Sequence, residues 1–157
     1  MSIQNKNTGN KKTVKLKEPL ISIENLEVKF INQDATIHAV NGVDIKLDKG
    51  KVLTILGESG SGKSVTMRSI LRLLPPKASL SGSIILDGKN IIDMSQDQLS
   101  SMRGHEVSMI FQEPMVAFDP VYKVGSQIAE TVVRHLGTSV NEGLARAKEL
   151  FDLVQIP

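Results

Sequence analysis

The most informative segment of this 157-residue chain is Val52-Leu53-Thr54-Ile55-Leu56-Gly57-Glu58-Ser59-Gly60-Ser61-Gly62-Lys63-Ser64. Its first five residues are almost continuously apolar, which predicts a short strand covered on both faces. Its last eight residues fit G-x-x-x-x-G-K-[ST], the phosphate-loop or Walker A pattern. From Lys63 to Leu74 apolar residues recur at helical spacing, and Pro75-Pro76 ends that helix. A strand, a glycine loop and a helix in this order predict a nucleotide-binding site.

Each residue type in the loop has a physical role in holding phosphate. Glycine permits positive φ, so that successive backbone N–H groups can face phosphate oxygens, and a helix N-terminus favours an anion. A lysine reaches the β- and γ-phosphates, and a hydroxyl ligates Mg²⁺. The candidate binding residues are therefore Gly57, Glu58, Ser59, Gly60, Ser61, Gly62, Lys63 and Ser64, with Lys63 also catalytic and Ser64 also a metal ligand. The alternative is a Gly-Ser turn that merely precedes a lysine, and the flanking strand and helix favour nucleotide binding.

Composition excludes several classes of protein. With 40% hydrophobic and 23% charged residues, the chain has the composition of a soluble globular domain. It contains no Cys, which excludes disulfides, thiolate zinc sites and cysteine nucleophiles. No apolar run approaches the roughly 18 residues of a membrane-spanning helix, and no apolar segment of a secretory signal follows the polar N-terminus.

The positive charge is concentrated at the N-terminus. Five Lys against Glu18 give residues 1–19 a charge of +4, so that the overall +2 leaves residues 20–157 at −2. The body of the chain therefore has no basic bias of the kind that indicates nucleic-acid binding. We expect residues 1–19 to form a disordered basic leader, the alternative being weak attraction to anionic lipid headgroups. The ordered domain is expected to span 20–157.

Hydrophobic periodicity predicts the remaining elements. We expect strands at 20–30, with a bulge near Glu24-Asn25, at about 37–47 and at 107–111; a hairpin of 83–86 with 90–92; a short helix from the Ser95/Gln98 capping box to Met102; and helices at 125–136 and 141–154. In the last helix Glu142 and Arg146 are spaced for an i,i+4 ion pair. Asp87 ends an apolar strand, as a magnesium-binding carboxylate would, but Gly88 follows it. This pair favours a hairpin turn over a metal ligand.

Several segments together resemble a known family. The phosphate loop, Met109-Ile110-Phe111-Gln112-Glu113-Pro114, Asp119-Pro120-Val121-Tyr122 and Val124-Gly125-Ser126-Gln127-Ile128 are similar to the ATP-binding subunits of ABC transporters, and most of all to the dipeptide/oligopeptide (and nickel) importer branch. The resemblance covers about residues 20–157, with Asp119 where the branch usually has Asn. It implies an α/β P-loop NTPase fold of the ABC type, with an N-terminal antiparallel β-subdomain and a partial RecA-like core.

The resemblance also assigns roles to residues outside the loop. Gln112 matches the Q-loop glutamine, which contacts Mg²⁺ or the attacking water and is thus a catalytic, nucleotide-binding and metal candidate; by itself it would be an ordinary surface amide. Phe30 matches the aromatic residue that stacks on adenine, although it could equally be a core residue. The family's contact with the permease maps to 113–125, where Met115, Phe118 and Tyr122 could meet it. The implied cofactors are ATP and Mg²⁺, and the implied partners are permease transmembrane subunits and a second ATP-binding subunit, at the cytoplasmic face of the cell membrane.

Some motifs of the family are not found in this sequence. The Leu-Ser-Gly-Gly-Gln signature, the Walker B strand with its catalytic Glu, and the switch His would all follow residue 157. We therefore expect the chain to be truncated before the signature motif and, by itself, not to be competent for hydrolysis. Strands 52–56 and 107–111 would lack their neighbours, which would leave unpaired edges and exposed apolar surface.

Three functional readings remain at this point. The first is the energising ATPase of an ABC importer of peptides or related solutes. The second is a truncated module that binds nucleotide without turnover. The third is another P-loop enzyme, such as a small kinase, although the two antiparallel strands before the loop and the lack of an Arg-rich lid argue against it. ABC proteins of DNA repair or translation lack the importer-like segment 112–128.

Overall fold

The computed structural model describes residues 18–113 and 117–156. The described residues form two compact units, which divide between Asp93 and Met94. The elements of the first unit are β1 (Ile21–Ile31), β2 (Thr36–Leu47), α1 (Lys63–Ile70), β3 (Ala78–Leu86) and β4 (Lys89–Asn90). Those of the second unit are α2 (Gln96–Met102), α3 (Val124–Leu136) and α4 (Val140–Leu153). None of the helices in these described ranges is long and apolar enough to cross a membrane.

The first unit is built on a four-stranded antiparallel sheet in the order β2-β1-β3-β4. Its buried face carries apolar residues from the two central strands and β2, namely Ile23, Leu26, Val28, Val40, Ile84 and Leu86. The predicted first and second strands are confirmed. β3 begins at Ala78, five residues before the predicted start, because Ser79, Ser81 and Gly82 conceal its alternation.

The predicted bulge near Glu24-Asn25 is confirmed. Asn25 has φ 47°, and its N–H donates to Asp44 Oδ1 at 2.6 Å, which satisfies a backbone donor that the sheet leaves unpaired. On the neighbouring strand Gly82 has φ +94°, and a Cβ there would lie 2.3 Å from the Asn25 carbonyl oxygen. Glycine is therefore required where β3 passes the bulge.

The hairpin at Asp87-Gly88 is also confirmed. Both residues have positive φ, 44° and 80°, as a tight two-residue hairpin turn requires. Asp87 forms a 2.6 Å ion pair with Lys49, and the hydrogen bond from this lysine, with its charge, lowers the pKa of the Asp87 carboxyl. Asp87 is thus a turn residue, as the sequence favours.

The structure contradicts two predicted strands. Residues 52–56 form no strand, and Val52 is 93% exposed. In 107–111, Val107 makes only an isolated bridge with Arg103, and Ile110 is 93% exposed. The apolar patterns are real, but a strand also needs neighbouring strands, and none of the four described strands pairs with either segment. The predicted exposure of apolar side chains is confirmed.

The second unit consists of three helices. α2 begins with the predicted capping box, in which the Gln98 N–H donates to Ser95 Oγ and the Ser95 N–H donates to Gln98 Oε1. Buried Ala129 of α3 lies against Gly143 of α4, where a Cβ would come within 2.9 Å of the Ala129 carbonyl oxygen. Small residues thus let α3 and α4 approach closely.

The predicted ion pair between Glu142 and Arg146 is wrong. Glu142 instead completes a capping box with Ser139, accepting from its N–H at 2.8 Å and from its hydroxyl at 2.7 Å. These bonds lower the pKa of the Glu142 carboxyl. Arg146 pairs with Glu149 at 2.7 Å, because the capping geometry turns the Glu142 carboxylate back to the helix start.

Candidate nucleotide-binding site

The segment from Gly57 to Ser64 forms a tight loop that leads into α1. The Ser61 N–H donates to the Glu58 carbonyl oxygen at 3.3 Å, which closes a turn. Gly60 and Gly62 have φ of +81° and +89°, the left-handed region that side chains with a Cβ rarely adopt. The glycines therefore set the curvature of the loop, as predicted from the sequence.

Gly62 also fixes the loop against the sheet. A Cβ on this residue would lie 2.4 Å from the Ala39 carbonyl oxygen and 3.5 Å from Val40. Ala39 has no partner in the register of β1 with β2, which passes from Val28↔Val40 directly to Lys29↔His38. The carbonyl of a bulged residue thus faces the loop, and only glycine leaves room for this contact.

The Lys63 ammonium lies within the loop. Its Nζ donates to the Gly57 carbonyl oxygen at 2.7 Å, to the Glu58 carbonyl oxygen at 2.5 Å and to Ser61 Oγ at 3.1 Å. An ammonium has three donors, so all of them are used. These bonds place the positive charge beside the curled backbone rather than in open solvent.

The start of α1 leaves backbone donors available. The first helical bond of the backbone runs from the Thr66 N–H to the Gly62 carbonyl oxygen at 2.9 Å, so the N–H groups of residues 63–65 have no partner within the helix. Within the described ranges, no side chain caps this end, and its first turn carries no acidic residue. Free donors, the helix dipole and the lysine charge together suit a phosphate group.

Ser64 is the candidate metal ligand in the first unit. It is exposed in the first turn of α1, next to Lys63. Within residues 18–113 and 117–156, no cluster of three or more His, Cys, Asp or Glu side chains could hold a metal ion by itself. A hydroxyl ligand suits Mg²⁺ bound mainly by phosphate oxygens and water, which needs only one or two protein ligands.

Phe30 is half-buried near the end of β1. It lies two residues beyond Val28 on β1, and hence on the same face. Val28 pairs with Val40, which lies close to Gly62 of the loop. The register therefore places Phe30 on the strand face nearest the loop. This position is compatible both with stacking on adenine and with a role as a core residue.

The remaining candidates belong to the second unit. Gln112 is exposed, and Met115 lies outside the described residues. Phe118 and Tyr122 are 44% and 66% exposed. Loop residues 57–64 all lie in the first unit, whereas Gln112 and residues 117–125 lie in the second unit.

One residue of importance to this second segment was not singled out from the sequence. The Gln127 side chain accepts from the Asp119 N–H at 2.9 Å and donates to the carbonyl oxygens of Asp119 at 2.9 Å and Tyr122 at 3.0 Å. Its amide therefore holds the 119–122 turn from the first part of α3. The only signal in the sequence was its place in the family-like run 124–128.

Comparison with known proteins identifies the class. Residues 40–156 match the family model described as ABC transporter. Because this match covers well over half of the chain, the chain belongs to the ABC transporter family. The resemblance noted from the motifs is thereby confirmed.

Individual relatives agree with the importer branch. The oligopeptide transport ATP-binding protein OppD of Bacillus subtilis is 41% identical over 140 residues, which are 88% of this chain and 39% of that protein. The dipeptide transport ATP-binding protein DppD of Lactococcus lactis is 39% identical over 142 residues, 89% of this chain and 41% of that protein. The chain spans about two fifths of the length of these relatives.

Solved structures support the fold. The ATP-binding cassette MJ0796, solved as a dimer with ADP and Pi, aligns with a TM-score of 0.70 at 21% identity, over 86% of this chain and 57% of that one. CbiO1 of Clostridium perfringens, part of the transporter complex cbiONQ, aligns with a TM-score of 0.58 at 24% identity, over 87% of this chain and 50% of that one. The P-loop NTPase fold of the ABC type is thus confirmed.

Proposed function

We propose that the chain binds ATP through residues 57–64 and serves the ATP-dependent import of peptides or related solutes. The observation that carries this proposal is the Lys63 ammonium, held by three oxygen acceptors inside a glycine loop at the start of α1. The relatives named for oligopeptide and dipeptide transport support the choice of import system. We propose that other subunits of the import system select the solute.

Each loop residue has a role in this proposal. The backbone N–H groups from Glu58 to Ser64 surround the phosphates, and Lys63 contacts the β- and γ-phosphate oxygens. Ser64 supplies a hydroxyl to Mg²⁺, which when bound neutralises phosphate charge. Phe30 stacks on the base, and such stacking discriminates little between purines because every base has a π-face.

We further propose that Gln112 contacts Mg²⁺ or the attacking water, as the resemblance to the family implies. A neutral amide can orient water without adding charge to a crowded anionic site. Gln112 is exposed, so its side chain is accessible for such a role. Turnover also needs a base within hydrogen-bond reach of the water, and none of the roles proposed for Lys63, Ser64 and Gln112 is that of a base. The second candidate function is therefore nucleotide binding without hydrolysis by this chain.

A titration distinguishes the two functions. The chain is mixed with Mg·ATP, and binding and phosphate release are measured in the same samples. We expect saturable binding; phosphate release above the rate in buffer would identify the hydrolysing function, and binding without release would identify the second candidate function. Lys63-dependent release would contradict the binding-only state, and absence of binding would contradict the whole proposal.

The domain organisation and location follow the same proposal. Residues 1–19 form a basic leader, and 20–157 form part of an ATP-binding domain that lies peripherally at the cytoplasmic face of the membrane. The partners are a second ATP-binding subunit and permease subunits, contacted through 113–125. The exposed rings of Phe118 and Tyr122, with the turn held by Gln127, support an apolar contact there.

Charging this contact should disrupt it. Phe118→Asp is expected to abolish co-purification with the cognate permease subunits, because a carboxylate would be buried against apolar surface. Leu153→Asp, at an exposed position of α4, is the control and should leave co-purification intact. Normal docking of Phe118→Asp would refute the contact.

A further inference from the structure

The Ser61 hydroxyl accepts a hydrogen bond from Lys63 inside the loop. It is one of the three acceptors of the Lys63 ammonium, and in the described structure it is the one side-chain oxygen among them. It also lies toward Gly57, where a Cβ would come within 2.8 Å of Ser61 Oγ. The Ser61 side chain is thus directed into the loop.

Phosphate binding must change this arrangement. Because Lys63 has three donors and all are used, a phosphate oxygen can be contacted only if one of the present bonds is given up or shared. The two carbonyl oxygens are fixed by the backbone, and their bonds are shorter, at 2.7 Å and 2.5 Å against 3.1 Å for Ser61 Oγ. Rotation about a single side-chain bond removes the hydroxyl, so its bond is the easiest to exchange.

We propose that Ser61 Oγ stands in for a phosphate oxygen and holds Lys63 retracted until nucleotide binds. We call this hydrogen bond the Ser61–Lys63 latch. This inference rests on the proposed function. It adds Ser61 as a residue that lowers the affinity for nucleotide by stabilising the nucleotide-free loop. Binding exchanges the latch for a bond from Lys63 to phosphate, and the hydroxyl turns away.

The latch makes a prediction opposite to that of an ordinary binding contact. Loss of a contact to the ligand weakens binding and speeds dissociation. Loss of a bond made only in the nucleotide-free loop strengthens binding and speeds association. Since one intramolecular hydrogen bond has a modest net effect, Ser61→Ala should bind roughly three- to tenfold more tightly.

The experiment uses stopped-flow fluorescence of the full 157-residue chain with mant-ATP and Mg²⁺. Ser61→Ala, and Ser61→Gly as a second variant lacking the same oxygen, should raise the association rate constant and leave the dissociation rate constant unchanged. Ser79→Ala, which removes an exposed hydroxyl on β3, should match the unmodified chain.

The outcomes separate the latch from the proposed function. An unchanged affinity, or faster dissociation in Ser61→Ala, would overturn the latch while binding by the unmodified chain still supports the proposed function. If the unmodified chain does not bind mant-ATP, the proposed function fails and the latch fails with it.

Discussion

Lys63→Ala is expected to weaken the binding of Mg·ATP by about 100-fold or more, which corresponds to roughly 3 kcal/mol. The variant loses the one ammonium that the loop surrounds, and with it the charge-assisted bonds to the β- and γ-phosphates. Isothermal titration calorimetry on the full chain measures the effect. The free energy of unfolding should change little, because the Gly57 and Glu58 carbonyls released by the change are on exposed residues that water can reach.

A matched control separates the lysine's position from its charge. Lys77→Ala removes the same charge from an exposed residue in the first unit, before β3. It should bind nucleotide within twofold of the unmodified chain. If Lys63→Ala binds as tightly as Lys77→Ala, the loop does not hold the phosphates by its lysine, and the proposed site is wrong.

Gly62→Ala is expected to lower stability strongly and to affect the site at the same time. The new Cβ would lie 2.4 Å from the Ala39 carbonyl oxygen, and the backbone would remain at φ +89°. Moving the backbone of β2 away from the loop would lower stability, because Val40, next to Ala39 on β2, is buried in the core. We expect the free energy of unfolding in urea to fall by about 3 kcal/mol, with nucleotide binding lost as well.

Gly88→Ala is the control for backbone strain. It has φ +80°, and no atom lies within 4 Å of its added Cβ. Gly88→Ala should lower the free energy of unfolding by about 1 kcal/mol, which is the strain of the left-handed conformation alone. Equal losses for the two variants would mean that the Gly62 contact with β2 contributes nothing to stability.

The elements predicted well from the sequence are those determined locally. The phosphate loop and the start of α1 follow from glycine conformation and one basic residue. The turn at Asp87-Gly88 and the capping box at Ser95 depend on residues within three positions of each other. In each case the physical cause lies within the segment, so the sequence contains it.

The predicted strands that are wrong depend on contacts between residues far apart in the sequence. Residues 52–56 have the pattern of a buried strand, but pairing depends on other strands, and none described pairs with them. The error at Glu142 has a local cause instead: Ser139, three residues earlier, donates its N–H and its hydroxyl to the carboxylate that the i,i+4 spacing assigned to Arg146. The approach of Gly62 to Ala39 links residues of separate elements and could not be seen in either one.

The site was predicted in part for the same reason. The half that we propose to bind phosphate is one continuous segment, so the sequence pattern contains all of it. The Gln127 side chain stabilises the 119–122 turn through hydrogen bonds to backbone groups as many as eight residues away. Hydrophobic periodicity does not predict such bonds. The latch likewise depends on side-chain rotation at Ser61, which residue type alone does not determine.

An amide-resolved NMR titration of the ¹⁵N-labelled chain with Mg·ATP, repeated with magnesium tripolyphosphate, tests most directly whether the loop binds a triphosphate. We expect large, saturable shifts of the backbone amides of residues 58–64 with both ligands, while the amides of α4 remain unchanged. Further shifts near Phe30 should appear only with the nucleotide, which carries a base. If the loop amides do not respond to either ligand while ATP binds elsewhere on the chain, the site proposed here is contradicted.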